Sequence, residues 1–170
     1  LSSAASDVYK RQRNAYENRL RDYPLRCSNS LTCVYIDVNG LHELNNTYGH
    51  EAGDKMLRTV ACILREIFGE EDSYRIGGDE FVVLYPEIKQ AEFEYFVSQL
   101  QKNAKEHHVN ISYGVVWKEI CENLEDLLTE ADKKMYEDKK LYYSNTKHNR
   151  RGQIERNSPL FTAEKKVMQD

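Results

Sequence analysis

Proline is scarce in this chain, with three residues in 170, and cysteine and glycine number only four and eight. Those counts exclude a collagen-like chain, a Pro/Gly-rich linker and a disulfide-stapled scaffold. Cys27, Cys33, Cys62 and Cys121 are widely spaced and share no CxxC pattern. That spread points to buried, reduced thiols in a cytoplasmic protein rather than a zinc knuckle. No apolar run approaches the roughly 18 uncharged residues that a membrane helix needs. The apolar core of about 7–15 residues that marks a signal peptide is also missing. Positive charge is not in excess: 24 Lys and Arg against 28 Asp and Glu leave a net charge of −4. Duplex nucleic acid, which is held by clustered cations, is therefore not an expected partner.

What is present suits one domain. Hydrophobic residues make up 40% and charged residues 31%, enough for a core under a solvated surface. Residues 1–12 begin at Leu1 and run from Ser/Ala-rich to basic without an apolar period. They read as a non-native or disordered stretch, closer to a translated adapter than to coding sequence. Residues 13–143 carry the periodic patterns of a folded domain, and 144–170 read as a polar tail. A sensor or regulatory domain, soluble or membrane-anchored, is expected upstream in the parent protein.

Arg13 to about Arg26 suits a short helix with Tyr16 and Leu20 on one side. Leu31–Val38 (LTCVYIDV) is almost continuously apolar and β-branched, the composition of a central strand buried on both faces. Asn39-Gly40 breaks it, and a short helical stretch with a glycine-rich segment follows. Asp54–Phe68 repeats apolar residues at i, i+4 and i+7, and Gly69 is placed to end that helix. Ser73–Ile76 and Glu80–Tyr85 are β-prone runs joined across Gly77-Gly78-Asp79, a tight-hairpin signal. Lys89–Lys105 reads as a helix with Phe93 and Phe96 inward, and Ile111–Trp117 as a strand. Asn123 is a good N-cap for a helix carrying Leu124, Leu127, Leu128, Ala131 and Met135. The order predicts an α/β (α+β) sandwich of the ferredoxin-like, nucleotidyl-cyclase palm type: a central mixed sheet flanked by helices.

Acids stand beside glycines in two places, Asp37-Val38-Asn39 and Gly77-Gly78-Asp79-Glu80. Gly and Asp are ordinary turn residues, so GGD alone reads as a turn. Asp37 is different, because a carboxylate ending a core strand is costly without a cation or strong donors. In a ferredoxin-like sheet the first strand lies beside the hairpin, bringing Asp37 near Asp79. Neighbouring carboxylates raise each other's pKa unless a cation sits between them. Hard oxygen ligands in an open site favour Mg²⁺, completed by water and substrate phosphates. Glycines in the hairpin let a phosphate or ribose approach the backbone. The residues alone thus point to metal-assisted phosphoryl or nucleotidyl transfer.

YRIGGDEFVVL (Tyr74–Leu84) and YIDVNGLHELNNTYGHEAGDKML (Tyr35–Leu57) resemble the two signature blocks of the GGDEF family, the diguanylate cyclases. ISYGVV (Ile111–Val116) and LLTEADKKMYEDKK (Leu127–Lys140) resemble its closing strand and helix. Four collinear blocks are far more specific than the pentapeptide alone. The resemblance implies a Mg²⁺-dependent enzyme, with Mn²⁺ as a substitute, that condenses two GTP into cyclic di-GMP, a bacterial second messenger, in a transient homodimer. It implies that Asp37, the Val38 carbonyl and Asp79 hold the metal, with Glu80 a further carboxylate. Asp79 would also be the general base for the ribose 3′-hydroxyl. Asn45 and Asp54 would read the guanine edge, His50 would line the pocket, Gly77 and Gly78 would admit the nucleotide, and Lys139 would contact phosphate. On their own, His50 equally suits a loop histidine and Lys139 a solvated helix face. Phe81, Phe93 and Phe96 read as core.

Two departures stand out. His42 takes the place of the family's phosphate-binding lysine, a weaker and pH-dependent cation. Tyr143 replaces an arginine four residues past Lys139. Each weakens charge-assisted contact with a triphosphate, which keeps open a non-catalytic, GTP-binding signalling module. The family's RxxD product site corresponds to Phe68-Gly69-Glu70-Glu71, which carries no arginine.

Overall fold

The computed structural model describes residues 14–21 and 30–156. Its elements are α1 (14–21), β1 (Leu31–Val38), α2 (Leu41–Tyr48), α3 (His50–Phe68), β2 (Ser73–Arg75), β3 (Glu80–Pro86), α4 (Gln90–Glu106), β4 (Ile111–Lys118) and α5 (Leu124–Arg156). The sheet runs β2-β3-β1-β4. The α+β sandwich and ferredoxin-like order are as expected.

The sheet is not mixed, however: every strand pair is antiparallel. The connectivity explains this. The α2–α3 crossover carries the chain from β1 to β2, and β3 fills the gap between them. α4 carries it from β3 to β4, with β1 in between. Strands joined by a crossover run parallel but are never neighbours.

β1 is the spine of the core, and its alternating side chains feed both faces. Val34, Ile36 and Val38 pack with α3 and α4 through Leu57, Val60, Ile63, Leu64, Phe93 and Leu100. Leu31 and Cys33 point the other way and pack with Val82, Leu84, Leu127 and Ala131. Tyr16 and Leu20 of α1 join this second cluster, and an Arg19–Asp72 ion pair at 2.8 Å fixes α1 to the approach to β2. Phe81 and Phe93 are buried, and Phe96 packs against the first cluster.

Several boundaries differ from expectation. α3 begins at His50 rather than Asp54, because Gly49 (φ 84°) turns the chain out of α2 one residue before. The hairpin is not a two-residue turn. Ile76–Asp79 form the connection, and neither Gly77 nor Gly78 has a positive φ. Asn123 caps α5 as predicted, its Oδ1 accepting from the Glu125 amide at 2.9 Å. α5 then continues past Tyr143 to Arg156, so part of the supposed tail is helical. Ser144 to Arg156 holds no proline and one glycine, so nothing stops propagation there. Residues 1–13, 22–29 and 157–170 lie outside the described residues, as does Cys27. Cys33 and Cys121 are buried as expected, but Cys62 is exposed.

Candidate active site at the end of strand β1

Asp37 continues the Leu31, Cys33, Tyr35 side of β1, so its carboxylate is directed at α5 instead of at water. It is only 3% exposed. Lys139 Nζ donates to Asp37 Oδ2 at 2.6 Å, while Asp37 Oδ1 is buried without a hydrogen-bond partner. Glu80 stands directly opposite Asp37 in the β1–β3 ladder. The Val38 amide donates to the Asp79 carbonyl at 2.9 Å. The structure therefore brings Asp37, Val38, Asp79, Glu80 and Lys139 together; the sequence predicts Asp37 near Asp79 but not the contact of Lys139 with Asp37.

The crowding bears on the charges of the site. Burial pushes the Asp37 carboxyl above the ordinary carboxylate range, and the charge of Asp79 adds to that, against the pull of Lys139. Burial likewise raises Glu80, followed by repulsion from Asp79, Asp37 and Asp132. Burial works against the Lys139 ammonium, but its hydrogen bond to Asp37 and the surrounding carboxylates hold its pKa above the usual lysine value. Among the described residues one ammonium faces three carboxylates, which it cannot fully neutralise.

The two glycines play different parts. A Cβ on Gly77 would collide with the Glu80 side chain folded over it, whereas a Cβ on Gly78 would meet nothing. Gly77 thus makes room for Glu80, and Gly78 leaves open space at the hairpin tip. Amides of Ile76 and Gly77 both donate to the Glu80 carbonyl, and Arg75 Nη2 holds the Gly78 carbonyl at 2.6 Å.

Lys139 reaches Asp37 because α5 lies very close to β4. A Cβ at Gly114 would overlap the Ala131 carbonyl and the Met135 amide. Asp138 Oδ2 accepts from the Tyr113 amide at 3.1 Å, and Lys134 Nζ donates to the Val115 carbonyl at 3.2 Å. The ISYGVV block by itself assigns Gly114 no role. The available signal was a glycine in a strand interior, which marks close backbone approach. Gly53 was missed in the same way: a side chain there would collide with Asn45.

That contact decides the placement of the base-reading candidates. Asn45 of α2 sits against Gly53, the residue before Asp54 of α3, and Asn45 Oδ1 is buried without a partner. Asn45 and Asp54 therefore stand at one α2–α3 corner. His42 is exposed in the first turn of α2, with its Nε2 3.1 Å from Asn46 Nδ2. His50 is exposed at the start of α3. Neither histidine makes a hydrogen bond to the carboxylate group.

Among the described residues, no three His, Cys, Asp or Glu side chains form a ready-made metal cage. The donors present suit a hard divalent cation better than a protein-enclosed one. A buried carboxylate oxygen lacks any donor, its neighbours are acids, and the open hairpin leaves room for water and phosphate oxygens.

Residues 11–143 match the family described as "Diguanylate cyclase, GGDEF domain". The chain belongs to the GGDEF family. It is 32% identical over 136 residues to diguanylate cyclase DgcS of Shewanella oneidensis, covering 75% of this chain and 46% of that protein. It is 27% identical over 150 residues to the probable diguanylate cyclase DgcF of Escherichia coli K12, covering 79% and 47%. The GGDEF chain thus spans less than half the length of these curated relatives. Among solved structures, the FimX GGDEF domain from Pseudomonas aeruginosa superposes with a TM-score of 0.65 at 20% identity, over 74% of this chain and 86% of that one. The GGDEF domain of DgcB from Caulobacter crescentus, solved with c-di-GMP, gives 0.60 at 17% identity, over 77% and 81%. At those identities the structural likeness shows the shared fold.

Proposed function

We propose that this GGDEF domain is a diguanylate cyclase that joins two GTP into cyclic di-GMP and pyrophosphate. The observation that carries the reading is that, among the described residues, one ammonium, Lys139 seated on Asp37, faces the carboxylates of Asp37, Asp79 and Glu80. Asp37, the Val38 carbonyl, Asp79 and Glu80 would hold Mg²⁺ (or Mn²⁺), which when bound neutralises triphosphate charge. Asn45 and Asp54 orient the base. The Asp54 carboxylate accepts from the guanine N1–H and amino group, a donor pair that adenine does not present.

Each domain holds one GTP, so a transient homodimer brings two nucleotides face to face. Asp79 takes the proton of the 3′-hydroxyl. The 3′-oxygen bonds to the α-phosphorus of the opposite GTP, and the bond from that phosphorus to the bridging oxygen breaks. Its electron pair leaves with pyrophosphate, and Lys139 steadies the developing negative charge. The reciprocal reaction closes the ring. The domain works in the cytoplasm, where GTP is found, under an upstream sensor.

A second reading rests on His42. Exposed and bonded to Asn46, it gives the triphosphate less charge than a lysine would, which favours a module that binds GTP and signals without turnover. Incubating the purified chain with GTP and Mg²⁺, then separating products by chromatography, decides between them. Cyclic di-GMP and pyrophosphate in a 1:2 ratio are expected. GTP binding without product would overturn the cyclase reading in favour of the module.

A further inference from the structure

Beside Asp37 lies a buried polar pair to which the proposed reaction gives no role. Asn39 is 1% exposed and Ser112 is 0% exposed. Asn39 Nδ2 donates to Ser112 Oγ at 2.8 Å, across 73 residues of sequence. Ser112 is the direct ladder partner of Asp37 on β4, so both residues share the α5 side of the sheet. Asn39 Oδ1, like Asp37 Oδ1, is buried with no hydrogen-bond partner. Burying an amide and a hydroxyl beside a carboxylate whose Oδ1 has no partner is costly, and two apolar residues would fill the space without that penalty.

The placement explains what the pair does. The β1 ladder ends at Val38, opposite Ile111, and Gly40 at φ 77° turns the chain into α2. The Val38–Asn39 peptide is therefore the last unit of β1 before a sharp bend. Its N–H donates to the Asn110 carbonyl at 2.8 Å, toward β4. In a trans peptide the C=O points opposite to the N–H, so the Val38 carbonyl is directed away from β4, toward the Asp79 side of the site. Past the ladder, residue 39 has two tethers: this amide bond and the Asn39–Ser112 side-chain bond.

We infer that Asn39 and Ser112 are positioning residues that aim the Val38 carbonyl and brace Asp37 for a divalent cation. The inference rests on the cation-dependent reading above. Asn39 serves because it is neutral. Its amide holds Ser112 while its free oxygen adds an acceptor to the site without adding another charge next to Asp37. A guanine-reading role is excluded by position, since Asn45 and Asp54 stand on α2 and α3.

The test is Mn²⁺ affinity of the full chain, measured by electron paramagnetic resonance of free Mn²⁺ with a saturating non-hydrolysable GTP analogue. Groups that support metal ligands typically cost about 10- to 100-fold in affinity when lost. Asn39→Ala and Ser112→Ala should each weaken Mn²⁺ by at least tenfold. The double variant should lose little more than either single one, because the two act as one unit. Competition between GTP and ATP should stay as in the wild type. Ser112→Ala removes only a hydroxyl, so it carries the test if Asn39→Ala fails to fold. Unchanged Mn²⁺ affinity in the folded variants would overturn the inference. So would equal loss of base discrimination, which marks a general structural role, or failure of the wild type to bind Mn²⁺ at all. A wild type that binds Mn²⁺ but makes no cyclic di-GMP would remove the cyclase reading and leave this one standing.

Discussion

At the end of β1, Asp37 Oδ1 and Asn39 Oδ1 are buried and unpaired, and among the described residues the acids outnumber the lysine that reaches them. Between α3 and β2, by contrast, Phe68 is 2% exposed. It packs edge-on against Phe96 with ring centroids 5.8 Å apart, and against Tyr85 at 6.4 Å. The Glu71 carbonyl accepts from the Tyr74 hydroxyl. One region carries the GGDEF motif with buried oxygens that have no partner, while the other carries no arginine at 68–71 and packs its aromatic rings together. Buried oxygens without a partner beside acids can accept from a ligand, whereas packed aromatic rings offer no such group. The Phe68–Glu71 stretch offers the phosphates of a product no cation, only two exposed carboxylates.

Four measurements would break or sharpen that contrast. The largest effect belongs to Asp79→Ala. Product formation should fall by at least about 10³-fold, within the range for loss of a general base, while the melting temperature holds because the residue lies in a hairpin connection. A folded variant with normal turnover would remove Asp79 from the mechanism. Phe68→Ala should do the reverse. It opens a cavity in the aromatic cluster and costs about 3–5 kcal/mol in denaturant unfolding, with turnover per folded molecule kept. A cost below about 1 kcal/mol would show that the cluster is loosely packed.

Asp54→Ser should lower the preference for GTP over ATP by about ten- to a hundredfold in competition binding, the scale of one charged hydrogen-bonding partner. Unchanged preference would mean that another group reads the base. The smallest effect concerns Glu80→Gln without divalent cation. Burial and then neighbouring acids raise the Glu80 pKa in the folded protein, so the fold binds that proton more tightly than the unfolded chain does. Stability should therefore be highest at low pH and fall as pH rises through the interval between the ordinary and the raised value. Glu80→Gln should flatten that fall by less than about 1 kcal/mol, given solvent screening of a half-exposed group. A steeper fall in the variant would contradict the stated repulsion.

Much of this was legible in the residues. LTCVYIDV suits a core strand, as found, and Asp37 near its end suggests a site because packing gives no reason for a carboxylate there. The i, i+4 rows of α3 and the Asn123 cap were equally plain. Sequence periodicity did not give strand direction, so the sheet was expected to be mixed, since adjacency depends on which gaps the crossovers leave. Gly77-Gly78 suggested a tight turn, yet their role is clearance for Glu80 and open space. Asn39 and Ser112 carry no local signal at all. Their meaning comes from a ladder that brings together residues 73 positions apart.

The missing side chain at Gly114 has a consequence for how this chain tolerates change. At Gly114, α5 meets β4 through backbone atoms, while Leu127 and Ala131 fill the space between helix and sheet elsewhere. Core positions along α5, such as Leu127 and Met135, can exchange one apolar residue for another of similar volume and leave the lysine where it is. Position 114 has no such latitude. In a library that samples every residue there, even the single methyl of alanine would overlap the Ala131 carbonyl and the Met135 amide, so helix or strand would have to shift.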